Sequence, residues 1–162
     1  MTSKIFFDLK ELQKGNFFSF DTAFKSKSGT SYELDEWIGR GGNASVFRCR
    51  ERASGEERAV KFLLQPGFQS TRRFIREINL LRSIKNEHIT SFHGNGRIKT
   101  KRGKDSKIVN IPFIVMELAD CNLQDFMRET DEPISYEKYA GQFRGLAKAL
   151  ARISHEGIKE SG

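Results

Sequence analysis

Cysteine, proline and long apolar runs are all scarce in this 162-residue chain. The two cysteines, Cys49 and Cys121, make neither a disulfide framework nor a metal-binding pair, so we expect reduced thiols and no zinc. No run approaches the ~18 apolar residues that a membrane-spanning helix needs, and the first thirty residues lack the apolar core of a signal peptide. Only three prolines and no long biased tract are present, which argues against a linker or a fibrous protein. We therefore expect a soluble, cytoplasmic domain without a metal site and without membrane contact.

Bulky apolar residues and positive charge are abundant by contrast. Fourteen phenylalanines supply enough surface for one compact core, and the formal net charge of +7 permits contact with nucleotides, nucleic acids or lipid headgroups without choosing among them. Much of the excess charge lies around Gly103, in Lys99, Lys101, Arg102, Lys104 and Lys107. We predict that this segment is a solvated loop between strands. A docking or nucleic-acid patch is the alternative, although no aromatic residues are interleaved with the cations.

The pattern along the chain predicts an extension followed by strands and helices. Residues 1–31 form a Phe-rich N-terminal extension with no sustained period, which we expect to pack as an appendage. Beyond it, alternating and apolar runs separated by Gly-rich turns predict an antiparallel meander, and apolar residues at three- and four-residue steps predict helices. The predicted strands cover residues 32–39, 46–52, 57–64, 89–92 and 108–118, and the predicted helices cover 69–84, 122–129 and 135–157.

A glycine-rich loop separates the first two predicted strands. It contains Gly39, Gly41 and Gly42, followed by the small Ala44, and such a loop lets backbone N–H groups approach phosphate oxygens closely. A dinucleotide fingerprint requires a helix after the loop, whereas residues 47–50 alternate apolar and basic, which is the period of a strand. No Gly-Lys-Ser or Gly-Lys-Thr occurs, so a P-loop is excluded as well.

A lysine and a glutamate are predicted to meet behind this loop. The strand period places Ala59 and Lys61 on one face, where a small residue beside a cation leaves space for a ligand. Glu77 lies three residues after Phe74 in the apolar stripe of the predicted helix, so its carboxylate needs a cationic partner, and Lys61 is the available one. Two simpler readings stay open here: an exposed strand lysine, and a Glu77 that reaches solvent or Arg73 at the edge of the stripe.

These residues together resemble the amino-terminal half of a eukaryotic-type protein kinase domain. The resemblance covers about residues 32 to 158. Gly39, Gly41 and Val46 match the family's glycine loop, Ala59-Val60-Lys61 matches its Ala-x-Lys strand, and Glu77 falls where the helix glutamate belongs. The strings VMELADCNLQDF and ALARISHEGI resemble the hinge and the helix before the catalytic loop, and MELADCNL is more similar to Ser/Thr kinases than to tyrosine kinases.

The resemblance implies an α+β fold. A kinase-like N-lobe at residues 32–118, made of a five-stranded antiparallel sheet plus one helix, would be followed by a hinge and two helices of a truncated C-lobe at 119–162. It also implies an ATP site in which Lys61 holds the α and β phosphates and Glu77 orients Lys61. The other implied nucleotide-binding residues are Gly39, Gly41, Gly42 and Ala44 in the loop, Ile38, Val46 and Ala59 over the adenine, Met116 at the rear pocket, the backbone of Glu117 and Ala119 at the adenine edge, and Asn122 or Asp120 near the ribose. A helix cap explains either of the last two side chains equally well.

The printed sequence lacks the family's His-Arg-Asp and Asp-Phe-Gly motifs, which supply the base and the Mg²⁺ ligands of a complete kinase. We therefore expect an ATP-binding portion of a Ser/Thr protein kinase that is catalytically incompetent by itself and acts on a protein substrate only when a C-lobe completes it. The alternative is a non-catalytic kinase-like module that binds a full kinase or self-associates through the exposed apolar stripe of helix 135–157. A third reading is an anion or nucleic-acid binder driven by the net charge.

Overall fold

The computed structural model describes residues 4–8, 17–102, 107–122, 125, 128 and 136–159, with side chains over 21–102, 108–122, 125, 128 and 139–154. In this part of the chain, antiparallel strands form one sheet, in the order β1-β2-β7-β8-β6-β5-β4-β3, and two helices accompany it. The strands are β1 (Lys4–Asp8), β2 (Phe17–Asp21), β3 (Ala23–Lys25), β4 (Ser31–Arg40), β5 (Ala44–Glu51), β6 (Glu57–Leu63), β7 (Phe92–Arg102) and β8 (Lys107–Glu117), and the helices are α1 (Phe68–Ser83) and α2 (Tyr136–Lys159).

The α+β class and the kinase-like arrangement of strands around one helix are confirmed. Strands β4, β5, β6 and β8 correspond to predicted strands, and α1 and α2 begin within one residue of their predicted starts. The strand predicted at 89–92 is wrong in its bounds, because β7 shares only Phe92 with it and continues to Arg102. Of the predicted helix at 122–129, the structure describes only Asn122, Asp125 and Arg128, and the rest lies outside the described residues. None of the described helices is long and apolar enough to cross a membrane.

The N-terminal extension adds strands at both edges of this sheet. Strand β2 pairs with β7 through Phe18 opposite Arg102 and Ser19 opposite Lys101, and β1 pairs with β2. Strand β3 pairs with β4 at the other edge. The irregular spacing of the phenylalanines hid these strands, because each is only three to five residues long. The extension joins the rest of the sheet at one edge through the pairing of β2 with β7, which is distant in the sequence.

The basic segment is not the loop that we predicted from composition. Lys99, Lys101 and Arg102 belong to β7, and Lys107 begins β8, whereas Lys104 lies outside the described residues. In β7 the lysines alternate with the less exposed Ile98 and the buried Thr100. A strand with one face toward the core and one toward water has this alternation, so Lys99 and Lys101 are on its solvent side.

Two apolar clusters fill the two faces of the sheet. The larger cluster is centred on aromatic rings and includes Phe24 from the extension. The Phe24 ring stacks on Tyr32 at 5.4 Å between centroids and meets Phe62 and Phe113 edge-on at 5.8 and 5.0 Å. The smaller cluster lies under α1 and consists of Leu63, Phe74, Ile78 and Ile114.

The turn after β3 reaches across to β7. The Lys27 N–H donates a hydrogen bond of 2.8 Å to the Asn95 carbonyl oxygen. The close approach depends on small residues, since a Cβ on Gly94 in β7 would lie 3.2 Å from Cβ of Ser26 at the start of the turn. The extension therefore closes the sheet over the aromatic cluster and is part of the folded unit.

Helix α2 packs against the segment that follows α1. A Cβ on Gly145 would lie 2.5 Å from Cε1 of His88, and Ala149 is buried. Phe143, Leu146 and Leu150 of α2 are exposed. They belong to the apolar stripe that the helical periodicity predicted.

Candidate functional site

The site begins at the hairpin that joins β4 to β5. Gly39 is opposite Val46, and the Gly41 N–H donates to the Ala44 carbonyl oxygen at 2.8 Å. A strand follows the loop directly, as the alternation in the sequence predicted. A Cβ on Gly39 or Gly42 would meet no atom within 4 Å, so packing does not require glycine at these positions. Their backbone is open to close approach by another molecule.

Strand register brings the predicted ligand-facing residues together. Val46 is opposite Lys61, and Ala59 is opposite Met116. Directly opposed residues in an antiparallel pair share a face, so these four side chains are on the face of the sheet that α1 covers in part. Ala59 is buried, and Val46, Lys61 and Met116 are half-buried, which leaves Lys61 accessible beside a small residue.

Helix α1 brings Glu77 to this lysine. Nζ of Lys61 lies 2.6 Å from Oε1 and 2.9 Å from Oε2 of Glu77, and it stands 6.0 Å from the centroid of the Phe74 ring. The contact predicted from the sequence is therefore present. Both side chains are more exposed than the argument from burial assumed, at 25% for Lys61 and 34% for Glu77. A pair with this exposure contributes little to stability, and its value lies in holding the ammonium group in one position.

At the far end of β8 the predicted hinge begins. The Glu117 N–H donates to the Ser91 carbonyl oxygen at 2.9 Å, so this main-chain donor is already occupied. The Ser91 N–H donates to Oε2 of Glu117 at 3.0 Å, and hydrogen bonding by Ser91 lowers the pKa of the Glu117 carboxyl group. Ala119 is exposed beyond it. Asn122 Oδ1 accepts the Asp125 N–H at 2.9 Å, which is the geometry of the helix cap named as the alternative for this residue.

Ile38 stands apart from the residues that the register assembles. The pairing of β4 with β5 is irregular between Trp37 and Gly39, so Ile38 occupies a bulge, and it is exposed. The sequence reasoning missed Arg48. This residue is opposite Ala59 and shares the face of Val46 and Lys61, so it belongs to the same site. Its spacing of two from Val46 was the available signal. Arg48 also pairs with Glu36 at 3.1 Å.

The donor set suits a phosphate-bearing nucleotide better than a metal. One fixed ammonium group and an open glycine hairpin with backbone N–H groups are the donors that phosphate oxygens accept from. Within the described ranges, no three His, Cys, Asp or Glu side chains are grouped so as to hold a metal ion. Among the residues that the structure describes, the donors at this site therefore suit phosphate oxygens better than a metal ion.

An antiparallel sheet with a glycine hairpin, and a strand lysine paired to a glutamate of the helix packed on that sheet, is the arrangement of a protein kinase N-lobe. The family model of the protein kinase domain matches residues 32–159 of this chain. The chain therefore belongs to the protein kinase domain family.

Known kinases at modest identity agree with this assignment. A probable serine/threonine-protein kinase of Streptomyces coelicolor is 30% identical over 141 residues, which is 81% of this chain and 20% of that protein. Cysteine-rich receptor-like protein kinase 45 of Arabidopsis thaliana is 28% identical over 91% of the chain and 38% of its own length. Mouse death-associated protein kinase 2 is 30% identical over 46% and 22%, respectively. The chain thus spans between about one fifth and two fifths of these curated relatives.

Proposed function

We propose that this chain is the ATP-binding portion of a Ser/Thr protein kinase. The observation that carries the proposal is the Lys61–Glu77 pair, at 2.6 Å, on the sheet face beside the glycine hairpin. Two relatives support the kinase assignment, a probable serine/threonine-protein kinase and a death-associated protein kinase, and the first of them supports the Ser/Thr class.

Each residue of the site has a physical task in this proposal. The Lys61 ammonium group binds oxygens of the α and β phosphates, and Glu77 holds that ammonium group in position through its two carboxylate oxygens. Backbone N–H groups of the hairpin between Gly39 and Ala44 approach the phosphates without side chains in the way. Val46, Ala59 and Met116 form the apolar surface beside the adenine. Bound ATP supplies the phosphoryl group that a complete kinase transfers to a protein hydroxyl.

Residues 1–162 by themselves are proposed to bind ATP without transferring its phosphoryl group appreciably. Transfer depends on positioning of the acceptor hydroxyl and on neutralisation of charge by Mg²⁺. The sequence contains neither His-Arg-Asp nor Asp-Phe-Gly, and the described residues contain no Mg²⁺ cluster. Measuring ADP release with a generic acceptor protein tests this point, and turnover at the rate of an ordinary kinase would contradict it.

A nucleotide titration tests the binding site. We expect saturable binding of a fluorescent ATP analogue to the 162-residue chain, weakened at least about tenfold by Lys61→Met, since a hydrogen bond to a charged group contributes about 1.5–3 kcal/mol. Glu77→Gln should weaken binding as well, by leaving Lys61 without its partner. Lys99→Met, on the solvent side of β7, is the matched control and should bind like the wild type. Absence of saturable binding at millimolar ATP, or equal binding by Lys61→Met, would refute the proposal.

The second candidate is a non-catalytic module that pairs with another copy of itself. It is favoured by the side chains on the outer face of α2, where Phe143, Leu146 and Leu150 are 47%, 50% and 57% exposed. Sedimentation velocity over a wide concentration range would show a dimer that Leu146→Glu combined with Leu150→Glu dissociates. A clean monomer at high concentration removes this candidate, and the nucleotide titration separates it from the first.

A further inference from the structure

The outer face of α1 carries an aromatic side chain with almost no cover. Phe68, in the first turn of the helix, is 80% exposed, and Ile75, two turns further on, is 46% exposed. At 100° per residue, positions 68, 72, 75 and 76 fall within one arc of about 100°, so they form a continuous strip along the helix. We call Phe68, Arg72, Ile75 and Arg76 the α1 ridge.

Two open grooves flank the α1 ridge, and neither has a carboxylate in its described lining. One groove is lined by Pro66, Thr71, Arg72, Ile75 and Arg76 together with Phe68. The other lies on the far side of Phe68 and is lined by Asn43, Gln65, Gln69 and Arg102, among others. The described parts of both walls are therefore neutral or cationic.

The positive charge of the ridge is not compensated within the described part of the protein. Helix α1 contains a single acidic residue, Glu77, which is nine positions from Phe68 and so on the opposite face, where it pairs with Lys61. Neither Arg72 nor Arg76 forms an ion pair with a residue that the structure describes. The first turn of α1 also lacks an acidic residue, so the partial positive charge of the helix N-terminus adds to that of the arginines.

We propose that the α1 ridge docks an acidic amphipathic helix of another protein. Grooves on both sides of a protruding aromatic ring accept apolar side chains spaced at i, i+3, i+4 and i+7, which is how an amphipathic helix binds a surface. Aromatic and arginine side chains are the residues that contribute most at protein interfaces. Glu or Asp beside the apolar anchors of the partner helix pairs with Arg72 and Arg76. A purely polyanionic partner would leave Phe68 in water, so the apolar anchors are part of the proposal.

The probe is a fluorescein-labelled helical peptide with leucines at heptad-like spacing and glutamates elsewhere, titrated with the full 162-residue chain and followed by anisotropy. The comparison peptide keeps the leucines and replaces every glutamate with lysine. We expect saturable binding of the acidic peptide and none of the basic one. Phe68→Ala, and separately Arg72→Glu combined with Arg76→Glu, should each weaken binding at least about tenfold.

Matched controls separate the ridge from the net charge. Lys85→Glu combined with Lys99→Glu changes the net charge by the same amount at exposed positions away from Phe68, and it should bind within about twofold of the wild type, since the α1 ridge is intact. All the substituted side chains are exposed, so we expect every variant to fold. Thermal unfolding of each variant verifies this. Equal binding of both peptides, equal loss in the Lys85/Lys99 control, or no effect of Phe68→Ala would overturn the proposal. Self-association of the chain that Phe68→Ala abolishes would overturn it too, by assigning the ridge to a second copy.

Discussion

Replacing Phe24 with alanine should show whether the N-terminal extension belongs to the folding unit. Phe24 is 7% exposed and contacts three rings contributed by β4, β6 and β8. Burial of a phenylalanine contributes about 1.5–3 kcal/mol, and each aromatic pair adds about 0.5–1.5 kcal/mol. With three ring pairs the sum is about 3–7.5 kcal/mol, and its lower part overlaps the ~3–5 kcal/mol typical of buried Phe→Ala substitutions. We therefore expect a loss of about 4 kcal/mol.

A loss of that size is easily measured. At about 2–4 °C per kcal/mol for a chain of this size, Tm should fall by about 8–16 °C. The single tryptophan, Trp37, reports urea unfolding, and circular dichroism provides a second probe. Phe68→Ala is the matched control, because the same substitution at an 80% exposed site should change the free energy of unfolding by no more than about 0.5 kcal/mol. If Phe24→Ala is as mild as Phe68→Ala, the extension does not stabilise the sheet and our account of the core is wrong.

Three further predictions follow from single contacts. Gly96→Ala should lower the free energy of unfolding by about 1–3 kcal/mol, since its Cβ would overlap the buried Phe113 ring. Urea unfolding measures this, and a midpoint urea concentration equal to that of the wild type would contradict the close approach of Gly96 to Phe113. Burial lowers the pKa of His93 from its ordinary 6.5, so the unfolded chain takes up a proton before the folded chain does. Tm should therefore fall as the pH drops below about 6.5, and it should fall less steeply in His93→Gln. If the Tm of the wild type and that of His93→Gln depend on pH in the same way, His93 is not the cause. Burial raises the pKa of the Cys49 thiol to about 12, so native-state iodoacetamide should alkylate Cys121 alone, and rapid loss of both thiols would refute this.

The local elements and one long-range contact of the site could be predicted from the sequence. Helix α1 followed from apolar residues at steps of three and four, because one stripe of a helix must face the core. The contact between Lys61 and Glu77 followed from a carboxylate inside that stripe, since such a group is stable only beside a cation or water. The hairpin followed from glycines before an alternating strand. Each of these inferences needs only the period of one element and the chemistry of one side chain.

Other features depended on where distant segments meet. The place of Phe24 in the core, the length of β7 and the exposure of Phe68 have no local signature, because a phenylalanine has the same chemistry in a core and on a ridge. Which of the two it occupies is decided by the order of the strands, which brings β4, β6 and β8 around residue 24 and leaves the first turn of α1 facing water. Periodicity and side-chain chemistry thus determined helices α1 and α2, strands β4, β5, β6 and β8, and the ion pair. Tertiary pairing alone decided the other strands, which apolar residues are buried and which remain available to a partner.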